Sequence, residues 1–490
     1  MRSEASPRGW RLAGAGFAAV AATQLLVPAP ASAHALVGRQ DLPIPEWLFA
    51  WGASVVLIIS FVALTLAWRR SRFQEEHWRP VSDGLSRLVV NRGTELLAGL
   101  IGVFLLGVTV WSGLVGTEAP DRNFSVTFAF VTAWLGLVVL SLAFGDVFRA
   151  FNPWRAVARA FAAGFQVIAG QSPPPPLRYP EWLGRWPAVV GLIAFGWMEL
   201  VYGQSGFQAV GLTPHSVAIA TLIYSAWTFV GMALFGIDRW LDRGETFSVY
   251  FGMFSRLAPL EVREGRLGVR RPFTGTIGWA SVPGSAALVL ATIGITAFDG
   301  AQEGLLQNAI GSTFDALIDG GVAPLTALRL TNSLYFAGTL LAVAAIYWAG
   351  VAGMHTVRGS IDTLSLGRAF AHTFIPIAVA YLVAHYFSLV VFQEQAQFTY
   401  LLSDPLGDGS DFFGTAGGGI DYALISANAI WYVQVAALVI GHVTALALAH
   451  DRALALYGDV RSAARSQYWM LALMVGFTTL GLFLLSQANA

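Results

Sequence analysis

The chain contains no cysteine, which excludes disulfides, thiolate metal sites, iron–sulfur clusters and thiol nucleophiles together. A metal would have to rest on histidine, carboxylate, amide, methionine or backbone ligands. Lysine is absent as well, so all 29 cations are arginines, balanced by 29 aspartates and glutamates. That zero net charge gives no electrostatic attraction for nucleic acid. Charge of either sign is scarce, at 12% of 490 residues, whereas 56% are hydrophobic and the mean hydropathy is +0.61. A soluble domain of this size does not hide so much apolar surface, and the expected partner is the lipid bilayer.

Residues 1–33 read as a secretory signal. Arg2, Arg8 and Arg11 form a basic start, residues 12–26 are apolar, and Ala31, Ser32 and Ala33 fit an A-x-A cleavage site. Cleavage would leave residues 34–490 as one multi-span domain beginning at His34. The alternative is an uncleaved first helix, although the apolar run is shorter than the about 20 residues a span needs.

Ten later stretches are long enough to cross a bilayer: 47–68, 95–115, 125–145, 186–202, 215–236, 278–298, 331–354, 370–392, 426–449 and 468–486. The expected fold is an all-α polytopic bundle of about ten spans. Arginine clusters in the connections 69–94, 146–185, 237–277 and 450–467, while Asp299, Glu303, Asp315, Asp319 and Asp404 to Asp421 mark alternate connections as acidic. The positive-inside rule then places the mature N-terminus outside, in a plasma (inner) membrane.

The histidines carry most of the chemical information, because ionisable groups at membrane depth usually face a bundle interior or cavity. Tyr381 and His385 are four residues apart, hence on one helix face. Matching depths at about 1.5 Å per residue puts His385 level with Gln434, and Tyr381 level with His442. Pro376 is expected to loosen the backbone below them. An outer layer would draw on His34, His215, His385, Gln434, Glu199, Glu394 and Asp404. An inner one would draw on His355, His372, His442 and His450, with the deeper His442 set apart from the helix-end histidines. His385, Tyr381 and Gln434 are the candidate catalytic residues, and His34, His385, His442, His372, His355 and His450 the candidate ligands of a divalent metal, copper or zinc. An N-terminal His34 could chelate Cu(II) through its α-amine and Nδ1. The bland reading is that His385 and His442 only tie helices together through Tyr381, Gln434 or a carbonyl.

Two further segments stand out. In "FNPWRA" (151–156), Trp154 and Arg155 suit an interfacial anchor, and "SDPLGDGSDFFGTAGGG" (403–419) reads as a turn-rich lid, its acidic spacing departing from the EF-hand pattern. These segments, with "HALVGRQDLPIPEWLFAWGASVVLIISF", "AHTFIPIAVAYLVAHYFSLV" and "WYVQVAALVIGHVTALALAHDRAL", resemble bacterial polytopic membrane proteins named fenitrothion hydrolase. The likeness runs through most of the chain. It implies a membrane-embedded hydrolase, with a processed signal peptide, that cleaves an aryl phosphotriester, and it brings no catalytic residues with it.

The sequence lacks the HxH cluster of soluble two-metal phosphotriesterases. The leading expectation is metal-assisted hydrolysis of phosphotriester-like or other small lipophilic esters at an outward-opening histidine site. The alternatives are a protein that transports or handles copper, and a proton- or redox-coupled subunit, with haem as a conceivable histidine-ligated group.

Overall fold

The structure, a computed structural model, describes residues 46–74, 77–170, 176–206, 209–279, 282–357 and 361–488. The signal segment, its cleavage site and His34 lie outside the described residues, as does part of the proline-rich stretch after Gly170.

The fold is an α-helical bundle. Its main helices are α1 (Glu46–Ala67), α2 (Arg92–Val115), α3 (Phe124–Phe144), α4 (Pro153–Ala169), α5 (Trp186–Tyr202), α6 (Pro214–Phe235), α7 (Thr246–Phe254), α8 (Ser285–Gln302), α9 (Pro324–His355), α10 (Ile375–Phe398), α11 (Ala427–Tyr457) and α12 (Val460–Ala488). Among the described residues, seven helical segments are long and apolar enough to cross a membrane, and α5 and much of α1 form shorter apolar helices. Large apolar side chains such as Ile59, Leu97, Phe104 and Leu341 cover the outside, as expected of a multi-pass membrane protein whose solvent is lipid. Short antiparallel strands complete the chain; Leu260–Arg263 and Arg266–Val269 form a hairpin whose turn residues, Glu264 and Gly265, both have positive φ, as a two-residue hairpin turn requires.

Local sequence explains several helix starts. At α6, Thr213 Oγ1 accepts from the Ser216 N–H at 3.2 Å and Ser216 Oγ accepts from the Thr213 N–H at 3.1 Å, a reciprocal cap followed by Pro214. Pro376 stands at the start of α10, after a 3₁₀ turn at Ala371–Phe374. The expected loosening of a mid-span backbone is therefore corrected: this proline opens the helix, where its missing N–H has no partner to lose. Two helices widen into π turns, α3 over Phe128–Gly136 and α5 over Met198–Tyr202.

Helix α8 is the centre. It packs against α5, α9, α10 and α12, and nearly all of its residues are buried. Small residues make this possible: a Cβ on Gly294 would stand 3.2 Å from Leu340 Cα of α9. Lipid tails are as apolar as leucine, so close packing and interhelical hydrogen bonds hold such a helix rather than expulsion of water.

The "FNPWRA" segment departs from the interfacial expectation. Asn152 caps α4, its Oδ1 accepting from the Arg155 N–H at 2.8 Å, and its amide donates to Ser248 Oγ at 3.0 Å. Trp154 is buried and donates to Ser225 Oγ at 2.8 Å. Arg155 pairs with Glu95 at 2.6 Å rather than reaching for headgroups. A buried indole with a satisfied N–H is the more stable arrangement, so this segment is an internal clamp.

Candidate functional site

The polar centre of the bundle is Asp299, 1% exposed on α8. Its Oδ2 lies 2.9 Å from His385 Nε2 and accepts from the Tyr386 hydroxyl at 2.7 Å. Its Oδ1 accepts from Gln302 Nε2 at 3.0 Å, and Gln302 Oε1 accepts from Gln204 Nε2 at 3.1 Å. Consecutive helical residues point about 100° apart, and the carboxylate sits in the wedge between His385 and Tyr386. A carboxylate removed from water needs such donors, since an unpartnered one costs several kcal/mol.

This placement corrects the sequence reading of Asp299 as a connection residue. Pro283 and Gly284 (φ +83°) hold the start of α8 back to Ser285, seven residues later than expected, and the helix runs on to Gln302. The later register draws Asp299 inside.

His385 and Tyr381 border the same void, of about 30 Å³, together with Thr296 of α8, Leu438 of α11 and Gly481 of α12. That is room for a water molecule. Tyr381 donates to the Phe477 carbonyl at 2.7 Å, and its ring lies 6.2 Å from that of His442, the level match expected from depth. Gln434 is buried one turn before Leu438 on α11, while His385 turns to Asp299.

The other histidines are distributed singly. His442 is fully buried, its Nδ1 2.7 Å from the Leu438 carbonyl one turn back, and its Nε2 has no hydrogen-bond partner among the described residues. His450 Nε2 lies 3.0 Å from the Trp68 carbonyl, and His355 Nδ1 lies 2.8 Å from the Ile361 carbonyl. His372 is buried in the 3₁₀ turn before α10, and His215 is exposed at the start of α6. Among the described residues, no three His, Asp or Glu side chains gather at metal-ligand spacing.

Beside His450, Asp451 staples the segment after α1. Its carboxylate accepts from Trp68 Nε1 at 3.0 Å, from the Arg72 and Phe73 N–H groups at 2.5 and 3.2 Å, and from Gln74 Nε2 at 2.9 Å.

A much larger cavity, about 990 Å³, lies among α2, α3, α5, α6, α7 and the end of α10. Its walls are chiefly aromatic and aliphatic, and Val190 and Ile223, both on the lipid-exposed surface, stand at its edge. Thr132 donates to Glu394 Oε2 at 2.9 Å inside it. Trp134 separates this chamber from the Asp299 centre: it lines the chamber, packs edge-on to Tyr386 at 5.1 Å, and donates to the Tyr250 hydroxyl at 3.0 Å.

The acidic loop 403–419 is folded by its own carboxylates. Asp404 accepts from the N–H groups of Asp408 and Gly409 at 3.1 and 2.9 Å. Asp411 accepts from Ser403 Oγ and from the Ala416 N–H. The Leu406 carbonyl accepts from the Thr117 N–H at 2.8 Å, tying the loop to the end of α2.

The sequence reading named His385 and Tyr381, which border one void, but not Asp299, the partner of His385, nor Tyr386 and Trp134. The signal available was that Asp299 directly follows residues 285–298, a run without a single charge. Compared with protein-family models, curated proteins and solved structures, the chain matches none.

Proposed function

We propose that this protein is an integral membrane hydrolase of phosphotriester-like or other lipophilic esters, with His385 as the general base and Asp299 as the residue that orients it. One observation carries the reading: a buried carboxylate holds an imidazole at 2.9 Å beside a void of water size. Orienting a histidine and stabilising its protonated form is what a buried aspartate does in hydrolytic sites. The resemblance to membrane proteins named fenitrothion hydrolase supports the reaction class. In this reading the ten apolar stretches all span the plasma membrane, the signal peptide is removed, and the 403–419 loop lies outside. A divalent metal, copper or zinc, is the alternative form of this proposal: Asp299, His385 and His34 would hold it, and it would supply the activated water in place of His385 as base.

The test is turnover of a p-nitrophenyl dialkyl phosphate by the purified full-length protein in nanodiscs, with metal analysis of the same sample. Turnover lost in His385→Gln but retained in His442→Leu supports the assignment. Turnover unaffected by His385→Gln removes it.

A second reading is favoured by the hydrogen-bonded line from Gln204 through Gln302 and Asp299 to His385 and Tyr386. Such a line suits a proton path in a coupled membrane subunit. Proton flux in proteoliposomes that stops in Asp299→Asn, without ester turnover in the wild type, selects it.

A further inference from the structure

The 990 Å³ chamber lies on the far side of Trp134 from the Asp299 centre, and its polar groups have their own logic. Among the described residues, no arginine or histidine lines it, and Glu394 is its sole carboxylate among otherwise apolar, aromatic and hydroxyl or amide side chains. Glu394 Oε2 accepts a hydrogen bond from the Thr132 hydroxyl. Its other oxygen, Oε1, faces Gly136, where a Cβ would stand only 3.3 Å away. The missing side chain leaves that oxygen approachable. One turn further along α10, Gln397 also lines the chamber; it is 3% exposed and its Oε1 is buried without a hydrogen-bond partner among the described residues.

One carboxylate oxygen thus faces a cavity whose remaining wall includes Phe124, Trp154, Phe195 and Tyr224, and the buried Gln397 acceptor lies in the wall near it. A bilayer acyl chain fills such a space but brings no donor to Glu394 or Gln397, and an orphaned buried acceptor carries a desolvation cost. A cation with an apolar body answers both needs, because it supplies donors and a charge opposite to the carboxylate, and aromatic faces attract it further. The volume lies at the upper end of the about 300–1,000 Å³ range of small-molecule sites.

We infer that this chamber binds a lipophilic primary amine, its ammonium seated on Glu394 near Gln397 and its tail among the aromatic residues. Entry is from the bilayer, past Val190 and Ile223. The site is separate from the hydrolytic centre, so its occupancy is independent of ester turnover.

The experiment uses the full chain in nanodiscs of phosphatidylcholine and reads quenching of tryptophan fluorescence by a long-chain primary amine with a terminal bromine, against the alcohol of equal chain length. Trp134, Trp154 and Trp227 all line the chamber and report its occupancy. The amine is expected to quench saturably, with a Kd about tenfold or more below that of the alcohol, the margin of a charge-assisted hydrogen bond. Glu394→Gln keeps the size and an acceptor for Thr132, and is expected to bring the amine to the alcohol's affinity. Ala194→Phe, which narrows the chamber, is expected to weaken both probes. Equal binding of amine and alcohol by the wild type overturns the inference, as does undiminished amine binding in Glu394→Gln or in Ala194→Phe.

Discussion

Asp299 and Tyr386, 87 residues apart in the chain, meet through a 2.7 Å hydrogen bond between α8 and α10. The same carboxylate oxygen lies 2.9 Å from His385, so one aspartate fixes two adjacent side chains of the neighbouring helix. Replacing it with asparagine keeps the shape and removes the charge. Asp299→Asn is therefore expected to lower ester turnover about a hundredfold or more, in line with loss of general-base catalysis, with helix content unchanged by circular dichroism. Turnover within a factor of two of wild type would detach Asp299 from the chemistry.

His442 makes the opposite case. Its Nε2 is buried without a partner among the described residues and its Nδ1 satisfies only a carbonyl of its own helix. Replacing a poorly satisfied polar group with an apolar one of similar size is nearly neutral or stabilising. His442→Leu is expected to unfold at the same temperature as wild type or higher, measured in detergent, and to retain turnover. A clear fall in either would give His442 a role that its contacts do not show.

Asp451 is a structural anchor with four donors in the segment Trp68 to Gln74. Asp451→Ala removes the shared acceptor of those partly buried donors and is expected to cost about 1–2 kcal/mol. The measurable signs are a lower unfolding temperature and faster tryptic cleavage at Arg69, Arg70 and Arg72. Cleavage at the wild-type rate would mean that other contacts dock this segment.

The 403–419 loop carries a pH dependence whose sign follows from its hydrogen bonds. The backbone N–H of Ser410 holds the Asp408 carboxyl below its usual 3.8, and the Ser403 hydroxyl does the same for Asp411. A depressed acid stabilises the folded loop above the unfolded value and loses that contribution as the pH falls through the folded value. Pepsin cleavage at the exposed Phe412 and Phe413 is expected to accelerate as the pH drops below 3.8, and to depend less on pH in Asp411→Asn. A loop equally resistant across that window would show that its ties to the end of α2 suffice without the carboxylates.

The helical architecture was legible because a chain in lipid must satisfy its backbone within each segment, so long apolar runs leave little choice but helix. Depth matching likewise anticipated the Tyr381–His442 proximity. What it could not supply was azimuth, the direction in which a side chain leaves its helix. Depth matching paired His385 with Gln434, yet the imidazole faces Asp299 of α8. Asp299 was misread because acidic residues at the end of an apolar run look like loop, and only the delayed start of α8 after Gly284 shows otherwise. The Trp154 clamp was hidden for a related reason: an indole beside arginine fits a headgroup zone or a protein interior equally well by composition, and Ser225, its partner, is distant in sequence.

Because α8 is enclosed by α5, α9, α10 and α12, it has little surface on which the bilayer can act. Peripheral helices accommodate thicker or thinner membranes by tilting, but a helix walled in by protein is insulated from that adjustment. The Asp299–His385 separation should accordingly be the same in short-chain and long-chain lipids, making the centre indifferent to membrane composition even where its surroundings are not.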